Sequence, residues 1–168
     1  AEEQLARFGQ ALFFDTSLSA NRTQSCASCH NPAAAFSDSR DNGVSRAASL
    51  GDDGTSLGDR NTPGTTYAAL IPAFHRNGQD NYVGGFFRDG RAATLSAQAA
   101  EPFVNPAEMA LPDRAAVVDR VLENAAYVAS LEKLFGASIL GAPERAFQAI
   151  TESIAAFERT ATFAPFDS

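Results

Sequence analysis

The chain has 168 residues, 45% of them hydrophobic and 20% charged, a balance that excludes disorder and fits one folded domain over residues 1–168. A formal net charge of −7 argues against nucleic acid or an anionic membrane surface as partner, because both reward clustered positive charge. No run approaches the roughly 18 uninterrupted apolar residues of a membrane span, so a soluble protein is expected.

In chain order, Leu5, Phe8, Leu12 and Phe13 stand at helical spacing and predict a first helix over residues 2–14, apolar on one face. A Ser/Thr/Asn-rich run over 16–25 leads to Cys26-Ala27-Ser28-Cys29-His30. From Asp38 to Gly64 the composition turns to Asp, Gly, Ser and Asn, which predicts a long surface loop; loops of such length are usually functional or disordered. Further helices are expected over 112–124 and 125–135, the latter stopped by Gly136. A last helix starts at Pro143, with Phe147, Ile150, Ile154 and Phe157 on one stripe. Almost nothing alternates as a strand would, and the expected fold is all-α: a single domain with long loops.

The Cys26-Ala27-Ser28-Cys29-His30 run is C-x-x-C-H, the spacing of covalent haem attachment. Two thiols three positions apart on a helical turn can add to the two vinyl groups of one porphyrin, and the histidine that follows is carried under the ring to bind its iron. Haem c, one per chain and held by Cys26, Cys29 and His30, is the expected cofactor. A thioredoxin-like dithiol would need a β-α-β context that the flanks do not supply. A zinc site would have to recruit His75 and to satisfy one tetrahedral ion with the adjacent Cys29 and His30. Covalent haem implies assembly in a periplasm, and the opening Ala1-Glu2-Glu3 reads as a mature chain whose signal peptide has been removed.

Several longer matches accompany the haem motif. They are Phe8-Gly9-Gln10-Ala11-Leu12-Phe13-Phe14-Asp15, Leu18-Ser19, Ser25 through Pro32, Ala35-Phe36-Ser37-Asp38, Arg60-Asn61-Thr62-Pro63, Tyr82 through Ala92, Gln98, and Asn105-Pro106-Ala107-Glu108-Met109. In these stretches, which span nearly the whole chain, it resembles the N-terminal haem domain of the bacterial dihaem cytochrome c peroxidases, a family that includes the methylamine-dehydrogenase maturation enzymes. The resemblance implies a peroxide-reacting haem with His30 as proximal iron ligand and Gln98 and Glu108 on the distal face. There a carboxylate can take a proton from peroxide and return it to the leaving oxygen. It also implies hydrogen peroxide as substrate and a small electron-transfer protein as redox partner.

Departures from the family pattern sharpen the expectation. No histidine lies in 38–59, where many of these peroxidases carry a ligand that leaves on activation, so the distal side is expected to be open. If another residue fills it, His75 and Met109 are the candidates, and a sixth ligand of either type would make an electron-transfer haem. The aromatic that the family places between its haems is Arg88 here, and the chain has no tryptophan. A second C-x-x-C-H is also absent, and the run Ala164-Pro165-Phe166-Asp167-Ser168 falls about where the family's chain enters its second domain. Either a natural single-haem protein or one part of something larger is expected, and the change at Arg88 fits the former. Asn61 matches a position that helps bind calcium between the family's domains, but the other ligands would lie elsewhere and no calcium site is expected. Arg60, Arg88 and Arg91 are candidates for pairing with haem propionates.

Overall fold

The apolar stripe of the last helix organises the molecule. The structure, a computed structural model, describes residues 2–164; Ala1 and the closing Pro165-Phe166-Asp167-Ser168 lie outside the described residues. The helices in chain order are α1 (Glu2–Phe14), α2 (Cys26–Cys29), α3 (Leu95–Val104), α4 (Arg114–Leu122), α5 (Ala125–Phe135) and α6 (Pro143–Glu158). Among the described residues the only sheet is a hairpin of β1 (His75–Arg76) and β2 (Tyr82–Val83), paired antiparallel with His75 opposite Val83.

Helix α6 is buried along most of its length, from Ala146 and Phe147 through Ile150 and Ile154 to Phe157 and Glu158. α1 lies across it so closely that a Cβ on Gly9 would sit 1.8 Å from the carbonyl oxygen of Ser153, and only glycine permits that approach. Past the crossing, Phe13 meets the Phe157 and Phe163 rings edge-on at centroid distances of 5.4 and 5.6 Å. α3 and α4 also pack on α6 and complete the main core, which includes Phe103, Leu111, Val117 and Val121.

Capping explains where the helices start. Asp113 accepts the Ala116 N–H and Asn124 the Ala126 N–H, so the helix expected over 112–124 begins one residue after Asp113. Gly136, at φ 85°, closes α5 as its left-handed stop. α3 is an element that periodicity had not marked. It is capped by Thr94 and carries Pro102 inside its last turn, which removes the N–H that would bond the Gln98 carbonyl.

The stretch expected as a long loop does lack helices, yet it is held in place by its own polar side chains. Asp53 accepts the N–H groups of Thr55 and Ser56 and the Ser56 hydroxyl, at 2.8, 2.7 and 2.6 Å. Leu50 and Leu57 bridge across the turn, and the Asp52 side chain is buried beneath it.

Candidate haem site

The attachment segment is built from the backbone outward. The Ser25 N–H donates to the Ser28 hydroxyl at 3.0 Å and the His30 N–H to the Cys26 carbonyl at 2.8 Å, closing α2 as one turn that carries both thiols. Cys26 packs on the main core, whereas the sulfur of Cys29 accepts from the Gln24 amide at 3.2 Å and the Arg40 guanidinium at 3.1 Å. Arg40 is in turn held by Asp38 at 2.6 Å. Burial pushes both thiols up, Cys26 very far, with the charge of Glu158 adding to it. Half-buried thiols held protonated are the reverse of the exposed thiolate that a redox dithiol needs.

His30 is aimed by a strained turn. Asn31 accepts the Ala33 N–H and opens a 3₁₀ turn over Pro32–Ala34, after which Ala35 and Phe36 both adopt left-handed backbone, at φ 52° and 56°. The chain doubles back and presents the Phe36 carbonyl 3.1 Å from His30 Nδ1. A carbonyl can only accept, so a proton on Nδ1 satisfies it, and in that tautomer Nε2 is unprotonated, as a metal ligand must be. Burial holds the His30 pKa below the ordinary imidazole value, against the Phe36 and Pro63 carbonyls and Asp38, so the ring is neutral as a ligand must be. Two residues in succession in a region unfavourable to side chains represent strain spent on this orientation.

The distal candidates arise from α3 and the segment after it. Gln98 is half-buried on α3. Glu108, also half-buried, lies on an irregular stretch pinned to the end of that helix, because Met109 donates to the Pro102 carbonyl at 3.1 Å and Leu111 to the Phe103 carbonyl at 2.9 Å. Burial raises the Glu108 carboxyl above the usual range, opposed by Arg91 and by a hydrogen bond with Asn105, and reinforced by Glu101 and Asp59. The charge of Glu108 reaches both Cys26 and Cys29, so this carboxyl and the attachment thiols share one electrostatic neighbourhood. Arg91 is engaged with Glu101 at 3.0 Å and Asp89 at 3.1 Å and lies over the Phe87 ring at 3.6 Å.

The remaining candidates lie as follows. His75 is exposed on the hairpin, its Nδ1 2.8 Å from the Ala73 carbonyl, while Met109 is 3% exposed within the main core. Arg88 is exposed and donates to the Asn61 carbonyl at 3.1 Å, and Arg60 is exposed as well. The Asn61 amide bonds the Arg46 carbonyl at 2.6 Å.

Three polar residues near the site carried no mark in the sequence: Arg40 on Cys29, Asp52, and Glu158. Glu158 sits at the end of an apolar stripe and is 3% exposed, and burial drives its carboxyl up to about 8. Its Oε2, like the Thr65 hydroxyl, is buried with no hydrogen-bond partner among the described residues. Two thiols on one turn, a neutral imidazole oriented by the Phe36 carbonyl, the Phe13 ring beside it, and buried polar atoms awaiting partners fit a covalently held haem.

This is the arrangement of a c-type haem domain. The chain belongs to the di-haem cytochrome c peroxidase family, which it matches over residues 3–168. It is 54% identical over 168 residues to the methylamine utilization protein MauG of Paracoccus denitrificans, covering 100% of this chain and 43% of that protein. It is 29% identical over 168 residues to the cytochrome c peroxidase Ccp of Escherichia coli, covering 99% of this chain and 31% of the relative. Among solved structures, the diheme peroxidase BthA of Burkholderia thailandensis E264 superposes with a TM-score of 0.90 at 33% identity, over 98% of this chain and 40% of that one. The chain thus spans less than half the length of these relatives. Family membership makes it a c-type haem protein of redox function, and the all-α reading of the sequence holds.

Proposed function

We propose that residues 1–168 form one peroxidase-like monohaem domain that reduces hydrogen peroxide to water in a periplasm, with electrons from a small separate carrier protein. One covalently attached haem c would be held by Cys26 and Cys29 through thioethers and by His30 Nε2 at the iron. When bound, the haem supplies the redox-active iron on which peroxide is cleaved. Everything else is done by the chain's own groups, beginning with a main-chain carbonyl. Phe36 fixes the imidazole and keeps its proton on Nδ1. Glu108 would take a proton from one peroxide oxygen and return it to the other as that oxygen leaves as water, and Gln98 would orient the peroxide. The net reaction consumes two protons and two electrons and yields two waters.

The observation that carries this reading is Glu108 itself. It is a half-buried carboxyl on a stretch pinned to the end of α3, and burial raises its pKa. A pKa moved toward neutrality suits a group that must both accept and donate a proton. The test is Glu108→Gln, with the peroxide reaction followed in stopped flow. Loss of acid–base catalysis lowers the rate by about 10²–10⁴-fold with haem content unchanged; an unchanged rate would remove Glu108 from the chemistry.

The competing reading is a six-coordinate electron-transfer haem. Met109 supports it better than His75, since Met109 is buried in the cluster on which Cys26 packs and His75 is exposed on the hairpin.

A further inference from the structure

We infer that Asp52 is a positioning residue that sets the distal acid Glu108 in register with the haem-attachment segment, an inference that rests on the peroxidase reading above. Asp52 lies in the irregular stretch between the haem motif and the hairpin, and is 4% exposed. Its side chain gathers the segment that leads into the haem motif. One carboxylate oxygen accepts the Ser19 hydroxyl, the Thr23 hydroxyl at 2.7 Å and the Thr23 N–H at 3.4 Å. The other accepts the Asn21 N–H at 2.6 Å. The Thr23 hydroxyl also reaches the Asp52 carbonyl at 2.6 Å. Ser19 passes the order onward, because its oxygen accepts the Gln24 N–H at 3.0 Å and the Gln24 side chain donates to Cys29 at 3.2 Å.

The backbone of the same residue faces the other way. The Asp52 N–H donates to the Glu108 carbonyl at 2.8 Å. Beside it, a Cβ on Gly51 would lie 2.8 Å from the Ala107 carbonyl oxygen, so the loop meets this peptide at a distance that glycine permits. The Ala20 N–H donates to the Met109 carbonyl at 2.8 Å, and a second strut thus joins the same two segments. One residue therefore binds the run before the haem cysteines with its side chain and the run bearing the distal acid with its main chain. A carboxylate is required because donors converge on both of its oxygens. Hydroxyls can turn to accept from an asparagine amide, but the Asn21 and Thr23 N–H groups cannot. The hydrogen bonds from Ser19, Asn21 and Thr23 hold the acid below the usual carboxylate range in spite of its burial.

Small displacements of a catalytic group are costly, about a hundredfold for roughly 1 Å. Asp52→Asn in the haem-loaded protein is therefore expected to slow the peroxide reaction by at least about tenfold, with covalent haem content unchanged. In a Glu108→Gln background the same change should have almost no further effect, because its influence passes through Glu108. Amide exchange should rise in the 105–111 segment and stay level in α6. Thr23→Val, which removes two of the hydroxyl's contacts and leaves Asp52 in place, should reproduce the pattern more weakly and serves if Asp52→Asn does not fold. Equal slowing in both backgrounds, or exchange rising as much in α6 as in 105–111, would overturn the inference and leave Asp52 as a general stabiliser. If Glu108→Gln alone leaves the rate unchanged, the peroxidase reading fails separately, and exchange in 105–111 still decides whether Asp52 holds that segment.

Discussion

Two halves of this domain are held together by different physics. The helical half, α1 with α4 to α6, is an apolar core in which Leu12, Phe13, Val117, Ile150 and Ile154 are essentially sealed from water. The turn-rich half, from the haem motif to the hairpin, leaves Leu70, Ile71, Phe74 and Tyr82 exposed and depends on Asp38, Asp52 and Asp53 bonding to nearby backbone and hydroxyl groups. Apolar packing is non-directional, whereas each hydrogen bond fixes an angle as well as a distance. The His30 contact with the Phe36 carbonyl, the Cys29 partners and the Asp52 link to Glu108 belong to the second kind. The fold uses its core for stability and its polar turns for placement.

This contrast can be broken by substitution. The largest effect on stability is expected from Gly9→Ala, where the new methyl would overlap the Ser153 carbonyl of α6; thermal or denaturant unfolding should show a loss of at least about 3 kcal/mol. Ile154→Ala, in the sealed core, should cost about 2–4 kcal/mol by the same measurement. Glu158→Gln should act in the opposite direction and with pH. Because burial raises the folded-state pKa of Glu158 to about 8 from 4.5, the carboxyl is neutral in the folded and the unfolded chain alike below pH 4.5 and adds no pH dependence there. Stability is then lost progressively as pH rises from about 4.5 through about 8, where the buried group finally ionises. The variant should match the parent near pH 4.5 and melt several degrees higher near pH 8.5 in scanning calorimetry; equal midpoints at both would contradict the assigned burial. At the small end, Tyr82→Ala on the exposed hairpin removes a ring stacked on Phe74 at 5.6 Å and should change stability by no more than about 0.5 kcal/mol. A loss as large as that of Ile154→Ala would mean that the hairpin belongs to the core after all.

How much could be read from the chain follows the same division. α1 and α6 were legible because Phe8 and Leu12, and Phe147, Ile150, Ile154 and Phe157, repeat at the helical period and the burial follows it, and α5 was legible from its stop at Gly136. The haem motif was legible because its spacing is local chemistry. α3 was not, since its alanines and Pro102 blur any stripe, and the two-residue strands are too short to alternate. Gln98 and Glu108 were named through family likeness, and nothing local distinguishes them from surface residues. Asp52 was invisible for a different reason: its partners Ser19, Asn21 and Thr23 stand 33, 31 and 29 residues away, and no periodic pattern records a hydrogen bond of that range. Glu158 ends an otherwise apolar helix face, and only the packed structure shows that its carboxyl is buried with it.

The most direct measurement is the EPR and visible spectrum of the ferric haem protein at neutral pH, taken before and after one equivalent of hydrogen peroxide. An open distal side above His30, served by Glu108, predicts a high-spin ferric signal that is lost on mixing with peroxide. A low-spin signal indifferent to peroxide would contradict the account. An accompanying methionine charge-transfer band would then assign Met109 as the sixth ligand of an electron-transfer haem.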